Sequence, residues 1–146
     1  MSARGGDVHV LAVPYDSAHR ARRMGAGPEA DLLAASGLTH LRADEAATRL
    51  DTELDALGRR VGQLFVHIDL DVLDASEGRV NGFPGGPGLS RAGLLGAIGA
   101  ARRRCRVAAA AITAYDPQYD ADGRIARTAV DVALALVGAS APRSPV

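Results

Sequence analysis

The sequence predicts an α/β fold, a three-layer αβα arrangement around a small, mostly parallel sheet, and three observations carry the prediction. Short apolar runs alternate along the chain with segments of helical periodicity, the pattern of a parallel sheet flanked by helices. One run, Leu64–Leu70, is almost continuously apolar, as in a strand covered on both faces. Apolar residues make up 47% of the 146 residues and aromatics only 3%, so the core has to be assembled from Ala, Leu, Val and Gly, which suits helices packed on a sheet. A chain of this length makes one domain, over residues 1–138, with residues 139–146 (ASAPRSPV) as a disordered tail.

The elements follow in order. Val8–Val13 (VHVLAV) is a short apolar run stopped by Pro14, and the turn chemistry of PYDS makes it a strand entering a loop. Pro28 stands where a first helical residue would, Glu29 and Asp31 suit the positive end of a helix dipole, and Gly37 is a stop signal, so a helix spans Pro28–Ser36. Leu38–Leu41 is a candidate second strand. Asp44 is placed to cap a longer helix in which Leu50, Leu54, Leu57 and Val61 fall on one stripe. That helix runs into the strand Leu64–Leu70 with almost no connection beyond Gly62 and Gln63. Ala75–Gly88 (ASEGRVNGFPGGPG) is too rich in Gly and Pro to be other than loop. Ser90 caps a helix that carries Leu94, Leu95 and Ile98 and ends in Arg102, Arg103 and Arg104. Val107–Thr113 is another strand, YDPQYDADG a loop, and Gly123–Val137 the last helix.

Charge and composition exclude several classes of function. Seventeen basic and seventeen acidic residues cancel, which gives no electrostatic reason for a nucleic-acid or membrane-surface partner. The basic run Arg102–Arg106 (RRRCR) meets a helix C-terminal dipole and has no neighbouring aromatics on which bases would stack. A single cysteine, Cys105, cannot form an intrachain disulfide and reads as a small packing residue. No apolar stretch is long enough for a signal peptide or for the ~20 residues of a membrane span, so the expected compartment is the cytoplasm.

The chemistry concentrates in FVHIDLDVLD, residues 65–74, where three carboxylates follow an apolar run. Aspartate is disfavoured inside a strand, so Asp69, Asp71 and Asp74 mark a strand end with a purpose. Strand alternation would put His67, Asp69 and Asp71 on one face, successive members roughly 6.6 Å apart at ~3.3 Å per residue. In open parallel sheets ligands bind outside the carboxyl ends of the strands, which makes Asp69 and Asp71 candidate ligands for a hard cation such as manganese or magnesium. The alternative is a polar exit whose carboxylates accept loop amides, and Asp74 fits that role better. His67 lies deeper in the strand and reads as a packed or hydrogen-bonded core residue. His19 belongs to an exposed loop, and His9 and His40 have no assignable role.

HIDLDVLD, a Gly/Pro loop ending in GLS and the helix behind it resemble the last metal-binding motif of the ureohydrolase family, the arginases, agmatinases and formiminoglutamases, which reads S-x-D-x-D-x-x-D and then G-G-L-[ST]. VPYDS with RRMGAGPEA is similar to the family's opening strand, loop and helix, and AAITAYDPQYDADGRIARTAVDVALAL to its closing strand, loop and helix. The blocks stand in family order over nearly the whole chain. The resemblance implies a truncated arginase-like fold in which Val107–Thr113 pairs parallel with Leu64–Leu70, and the opening strand closes onto Val107–Thr113 in place of a lost strand. It also implies manganese-dependent hydrolysis of C–N bonds in linear amidines, with a small guanidino compound as substrate and two manganese ions sharing a hydroxide.

Under that resemblance Asp69 matches the aspartate that bridges both metals and Asp71 the aspartate bound to one. The family's other ligands come from G-G-D-H and D-A-H-x-D segments between the front and back blocks, and this sequence has neither. The chain therefore reads as a member with its centre removed at a seam near residues 58–64, its manganese site weak or lost, its activity impaired, and no catalytic residue assigned. The guanidinium-binding glutamate of the family falls at Ala114, and Asp116 is the nearest acidic substitute for binding substrate. A second reading is a non-catalytic family remnant that oligomerises through sheet edges once covered by missing elements. A third is a D-x-D phosphatase. Against it stand Leu73 where such enzymes carry Thr or Val, the mid-chain place of the motif, and the lack of any lysine to steady a phosphoryl group.

Overall fold

In the computed structural model the described residues are 11–12, 31, 35–41, 43–82 and 88–138. They form β1 (Leu11–Ala12), β2 (Thr39–His40), α1 (Ala43–Gly58), β3 (Gln63–Asp69), α2 (Arg91–Arg104), β4 (Arg106–Thr113) and α3 (Arg124–Val137). β3 and β4 pair in parallel from Gln63 opposite Arg106 to Asp69 opposite Thr113, the pairing expected from sequence, with one irregularity between Leu64 and Phe65. α2 is the crossover between them, so β3–α2–β4 is one βαβ unit.

Leu11 and Ala12 pair in parallel with Thr39 and His40, so the candidate strand Leu38–Leu41 has the opening strand as a neighbour. The expected pairing of the opening strand with β4 falls on residues outside the described set. The rest of Val8–Val13 lies outside the described residues. Of the helix expected over Pro28–Ser36, residues 31, 35 and 36 are helical and Gly37, at φ 69°, ends it as anticipated. The remaining positions lie outside the described set, as do His9, His19 and the tail.

Asp44, expected to precede the helix as its cap, falls within α1, and the helix stops at Gly58, short of Val61. Residues 59–62 carry the chain straight into β3. Ser90 caps α2 as expected, its Oγ accepting the Gly93 amide at 3.0 Å.

The core lies between one face of β3–β4 and the helices α2 and α3. Leu70, Ile125 and Val132 are fully buried and pack with Leu94, Ile98 and Leu136, while Val66, Ile68, Val107 and Ile112 supply the sheet side. Each such aliphatic contributes about 1.5–3 kcal/mol when removed from water. The expectation that Leu64–Leu70 is covered on both faces holds for one face: Leu64, Val66 and Ile68 turn inward, but Phe65 is 68% exposed and Gln63, His67 and Asp69 are exposed with it. A continuous apolar run does not reveal which of its two faces finds a partner.

Ion pairs join the helices. Arg91 of α2 donates to Asp131 of α3 through Nη2 at 2.5 Å and Nε at 3.2 Å. Arg104, in the last turn of α2, pairs with Asp51 at 2.9 Å and with Asp55, both on α1. Cys105 is buried beside this junction, as its reading as a packing residue requires. Among the described residues no helix is long and apolar enough to cross a membrane.

Candidate functional site

β3 ends at Asp69 because the chain there tightens into a 3-10 turn, Leu70–Val72, that drives Leu70 and Val72 into the core. Asp69 caps the turn, its Oδ1 accepting the Asp71 amide at 3.0 Å. The alternation argument therefore stops at Asp69: Asp71 is reached through a turn and not along the strand, so the two carboxylates do not sit on one strand face as expected. Their surroundings differ as well. Asp69 is exposed, whereas Asp71 is half-buried and its Oδ1 accepts the Asn81 side-chain amide at 2.7 Å.

Asn81 is the residue that sequence reasoning missed. It sits in the Gly/Pro loop, where an asparagine signals only a turn, yet its Nδ2 lies 3.4 Å from the Ala114 carbonyl as well as against Asp71. One residue earlier, buried Val80 accepts the Asp116 amide through its carbonyl at 2.9 Å. The loop after β3 is thus fastened to the end of β4. Ala114 makes this geometry at φ 70°, in a left-handed conformation uncommon for a residue with a Cβ. Arg79 reaches back over the loop, donating to the Asn81 carbonyl at 3.1 Å with its guanidinium 4.6 Å from the Tyr119 ring centroid.

Asp74 does what the turn reading assigned to it. Its Oδ1 accepts both the Ser76 hydroxyl at 2.6 Å and the Ser76 amide at 2.9 Å, and its Oδ2 accepts the Gly88 amide at 3.2 Å. The Ser76 hydroxyl and then the two amides hold its carboxyl below the ordinary aspartate range. Leu89 adds a backbone bridge, donating to the Val72 carbonyl at 2.8 Å and accepting the Asp74 amide at 2.9 Å.

Asp116 caps the 3-10 turn Pro117–Tyr119, accepting the Gln118 amide at 3.0 Å, and is half-buried. Asp120 is buried at the start of α3. Burial raises its pKa, but the amides of Ala126 (2.8 Å) and Ile125 (3.1 Å) and the Tyr115 hydroxyl (3.1 Å) outweigh burial and leave the carboxyl below its usual range. His67 lies 2.9 Å from the Thr113 hydroxyl through Nε2, as a hydrogen-bonded residue should, but it is exposed and not in the core as expected. His40 is half-buried in β2.

Asp69, Asp71, Asn81, Ala114 and Asp116 therefore gather at the carboxyl end of β3–β4, the end at which parallel sheets bind ligands. As donors for a cation they fall short. Hard divalent ions take six or more oxygen donors, and a two-ion centre needs carboxylates and histidines around both. Among the described residues no group of three or more His, Cys, Asp or Glu side chains is placed to hold an ion. The described residues do not by themselves fit a two-manganese centre.

Residues 22–138 match the model of the arginase family. No curated protein matches the chain significantly. Among solved structures it is similar to arginase from Bacillus subtilis (TM-score 0.69, 21% identity, covering 80% of this chain and 42% of that one). It is also similar to proclavaminate amidino hydrolase from Streptomyces clavuligerus (0.64, 22%, 77% and 39%) and to a hypothetical agmatinase from Burkholderia thailandensis (0.59, 25%, 70% and 33%). The chain spans between a third and about two-fifths of the length of these structures.

Proposed function

Because this chain belongs to the arginase family, we propose that its chemistry derives from hydrolysis of C–N bonds in linear amidines, guanidino compounds above all, and that the chain by itself retains an impaired version of that site. The observation that carries the reading is the gathering of Asp69 and Asp71 at the tip of β3 with Asp116 at the adjoining loop after β4. In this reading Asp69 and Asp71 hold at most one weakly bound manganese, and Asp116 offers a carboxylate to a guanidinium, a pairing in which charge and fork geometry match. The central ligand segments are lost at residues 58–64, where α1 passes directly into β3. A cytoplasmic setting accords with the lone, buried Cys105.

A second reading is a non-catalytic family member that works by self-association, and the shortage of donors among the described residues favours it. One pair of measurements separates the two. Urea release from a guanidino substrate with added manganese is compared between the natural chain and Asp69→Ala, and manganese is titrated against the melting temperature of both. The hydrolase reading expects saturable stabilisation and residual turnover that vanish in Asp69→Ala. Manganese-independent melting together with no turnover would leave the non-catalytic reading standing.

A further inference from the structure

The side-chain amide of Asn81 sits where two oxygens converge. Its Nδ2 is 2.7 Å from Oδ1 of Asp71 and 3.4 Å from the Ala114 carbonyl oxygen, the first in the turn after β3 and the second at the end of β4. Both oxygens are acceptors, so an amide nitrogen and not an amide oxygen has to face them. A carboxylate oxygen and a backbone carbonyl oxygen are also the kinds of ligand that hard divalent cations take, at about 2.0–2.6 Å. The amide nitrogen thus stands in the space that an ion bridging Asp71 to Ala114 would occupy.

The loop backbone holds the amide there. Arg79 donates to the Asn81 carbonyl at 3.1 Å and to the Gly82 carbonyl at 3.4 Å, and the Asp116 amide donates to the carbonyl of buried Val80 at 2.9 Å. The Tyr119 hydroxyl presses on Gly82, where a Cβ would lie 2.9 Å from its oxygen. Asp69 is engaged as well, its Oδ1 accepting the Asp71 amide at 3.0 Å. One oxygen of each carboxylate is therefore satisfied by an N–H of the protein before any ion arrives. A hydrogen bond to a charged group is worth about tenfold to a hundredfold in an equilibrium constant, and an ion that takes Oδ1 of Asp71 has to forfeit it.

We propose that Asn81 sets the cation affinity of the β3 tip: its amide takes the place of a divalent ion between Asp71 and Ala114, and an ion binds Asp71 only by displacing it. The proposal rests on the reading of Asp69 and Asp71 as a ligand pair, and it traces the weakness of that pair to an occupied position and not only to a shortage of donors. An N–H group and a cation at the same oxygen also repel each other, since both turn positive charge toward it. Asn81→Asp keeps the shape of the side chain but puts an oxygen where the nitrogen now lies. It turns a self-sufficient contact into three converging oxygens, two of them on carboxylates, which need an ion between them.

The test is titration of the full chain with manganese at neutral pH, with the free ion read by electron paramagnetic resonance and stability by thermal melting in manganese and in EDTA. Asn81→Ala should bind manganese about tenfold more tightly than the natural chain, because the ion no longer forfeits a hydrogen bond. Asn81→Asp should bind more tightly still, melt below the natural chain in EDTA and recover in saturating manganese. Adding Asp71→Asn to either variant should abolish the gain. If Asn81→Ala loses the circular dichroism of the natural chain, Asn81→Ser replaces it, with a gain of the same sign expected. Manganese affinity that is unchanged or weaker in Asn81→Ala or its serine replacement, or a gain that survives Asp71→Asn, overturns the proposal. In that event, binding by the natural chain that vanishes in Asp69→Ala leaves the manganese reading standing. Absence of binding in the natural chain and in every variant overturns both.

Discussion

The Asn81 side-chain amide donates to the Asp71 carboxylate across 2.7 Å and lies 3.4 Å from the Ala114 carbonyl, so a loop residue links the turn after β3 to the end of β4. Asn81→Ala removes that link and is expected to cost about 1.5–3 kcal/mol in urea denaturation, the usual range for a hydrogen bond to a charged group. Asn81→Asp should cost more at neutral pH, because it sets two carboxylates in contact, and the extra loss should fade as the pH approaches the ordinary aspartate pKa of about 4. Equal stability of all three proteins at neutral pH would show that the link does not hold the loop.

Two glycines should respond in opposite directions. A Cβ at Gly88 would lie 2.5 Å from the Val72 carbonyl oxygen and 2.7 Å from the Asp74 amide nitrogen, backbone atoms that are fixed by the Leu89 bridge. Gly88→Ala is therefore expected to destabilise by about 2–3 kcal/mol, as overpacking against backbone does. Gly96 is exposed in α2 with open space where its Cβ would be. Gly96→Ala should stabilise by about 0.5–1 kcal/mol through helix propensity. Denaturant midpoints of the two variants check both signs.

Ala114 is the described residue with a side chain that adopts a positive φ, at 70°. Ala114→Gly relieves that conformation and should raise stability by up to about 1 kcal/mol, provided the Asn81 contact to the carbonyl survives. A lower melting temperature in the glycine variant would mean that the Ala114 methyl, which packs against the core, contributes more than the strain it imposes.

The back half of the fold was legible because its signals are local. Ser90 and the three terminal arginines bound α2, the apolar runs locate β3 and β4, and the order strand, helix, strand dictates parallel pairing. The sheet neighbours of the opening strand are less legible, because a choice between them depends on contacts that no periodicity records. At the site, the turn role of Asp74 followed from its position, but the geometry of Asp71 did not. Extending strand alternation past Asp69 assumes extended backbone, and buried Leu70 and Val72 instead pull the chain into a 3-10 turn. Asn81 stayed hidden because its partners, Asp71 and Ala114, are brought to it only by the folded loops.

Asp120 accepts the amides of Ile125 and Ala126 in the first turn of α3, where Gly123 provides no side chain and Asp122 accepts the Arg124 amide. Asp120→Ala should cost about 2 kcal/mol, near the upper end for an N-terminal cap, since it exposes helix amides in a buried place without a partner. Asp120→Asn keeps an acceptor and should recover about half of that loss, a difference that thermal melts of the two variants would resolve.

Acid should unfold the chain through two carboxylates, Asp74 and Asp120. The Asp74 carboxyl is lowered by the Ser76 hydroxyl and the amides of Ser76 and Gly88. At Asp120 burial acts to raise the pKa, but the helix amides and Tyr115 prevail and lower it. Below the ordinary aspartate value of about 3.9 the unfolded chain takes up protons that the folded chain resists, so stability falls with falling pH. The contribution is complete above that value and disappears as pH drops through the lowered folded values. Plots of unfolding free energy against pH should therefore be flat in these groups from about pH 7 to 5 and slope downward below about pH 4. Asp74→Asn and Asp120→Asn should each flatten the acid limb, and their effects should add because the two carboxylates have no hydrogen-bond partner in common. At the alkaline end the sign reverses in kind: burial, and then the hydrogen bond to Asp120, raise the Tyr115 pKa. The unfolded chain ionises that phenol first, and stability should decline above about pH 10. An acid limb identical in the natural chain and both asparagine variants would remove these carboxylates from any account of its stability.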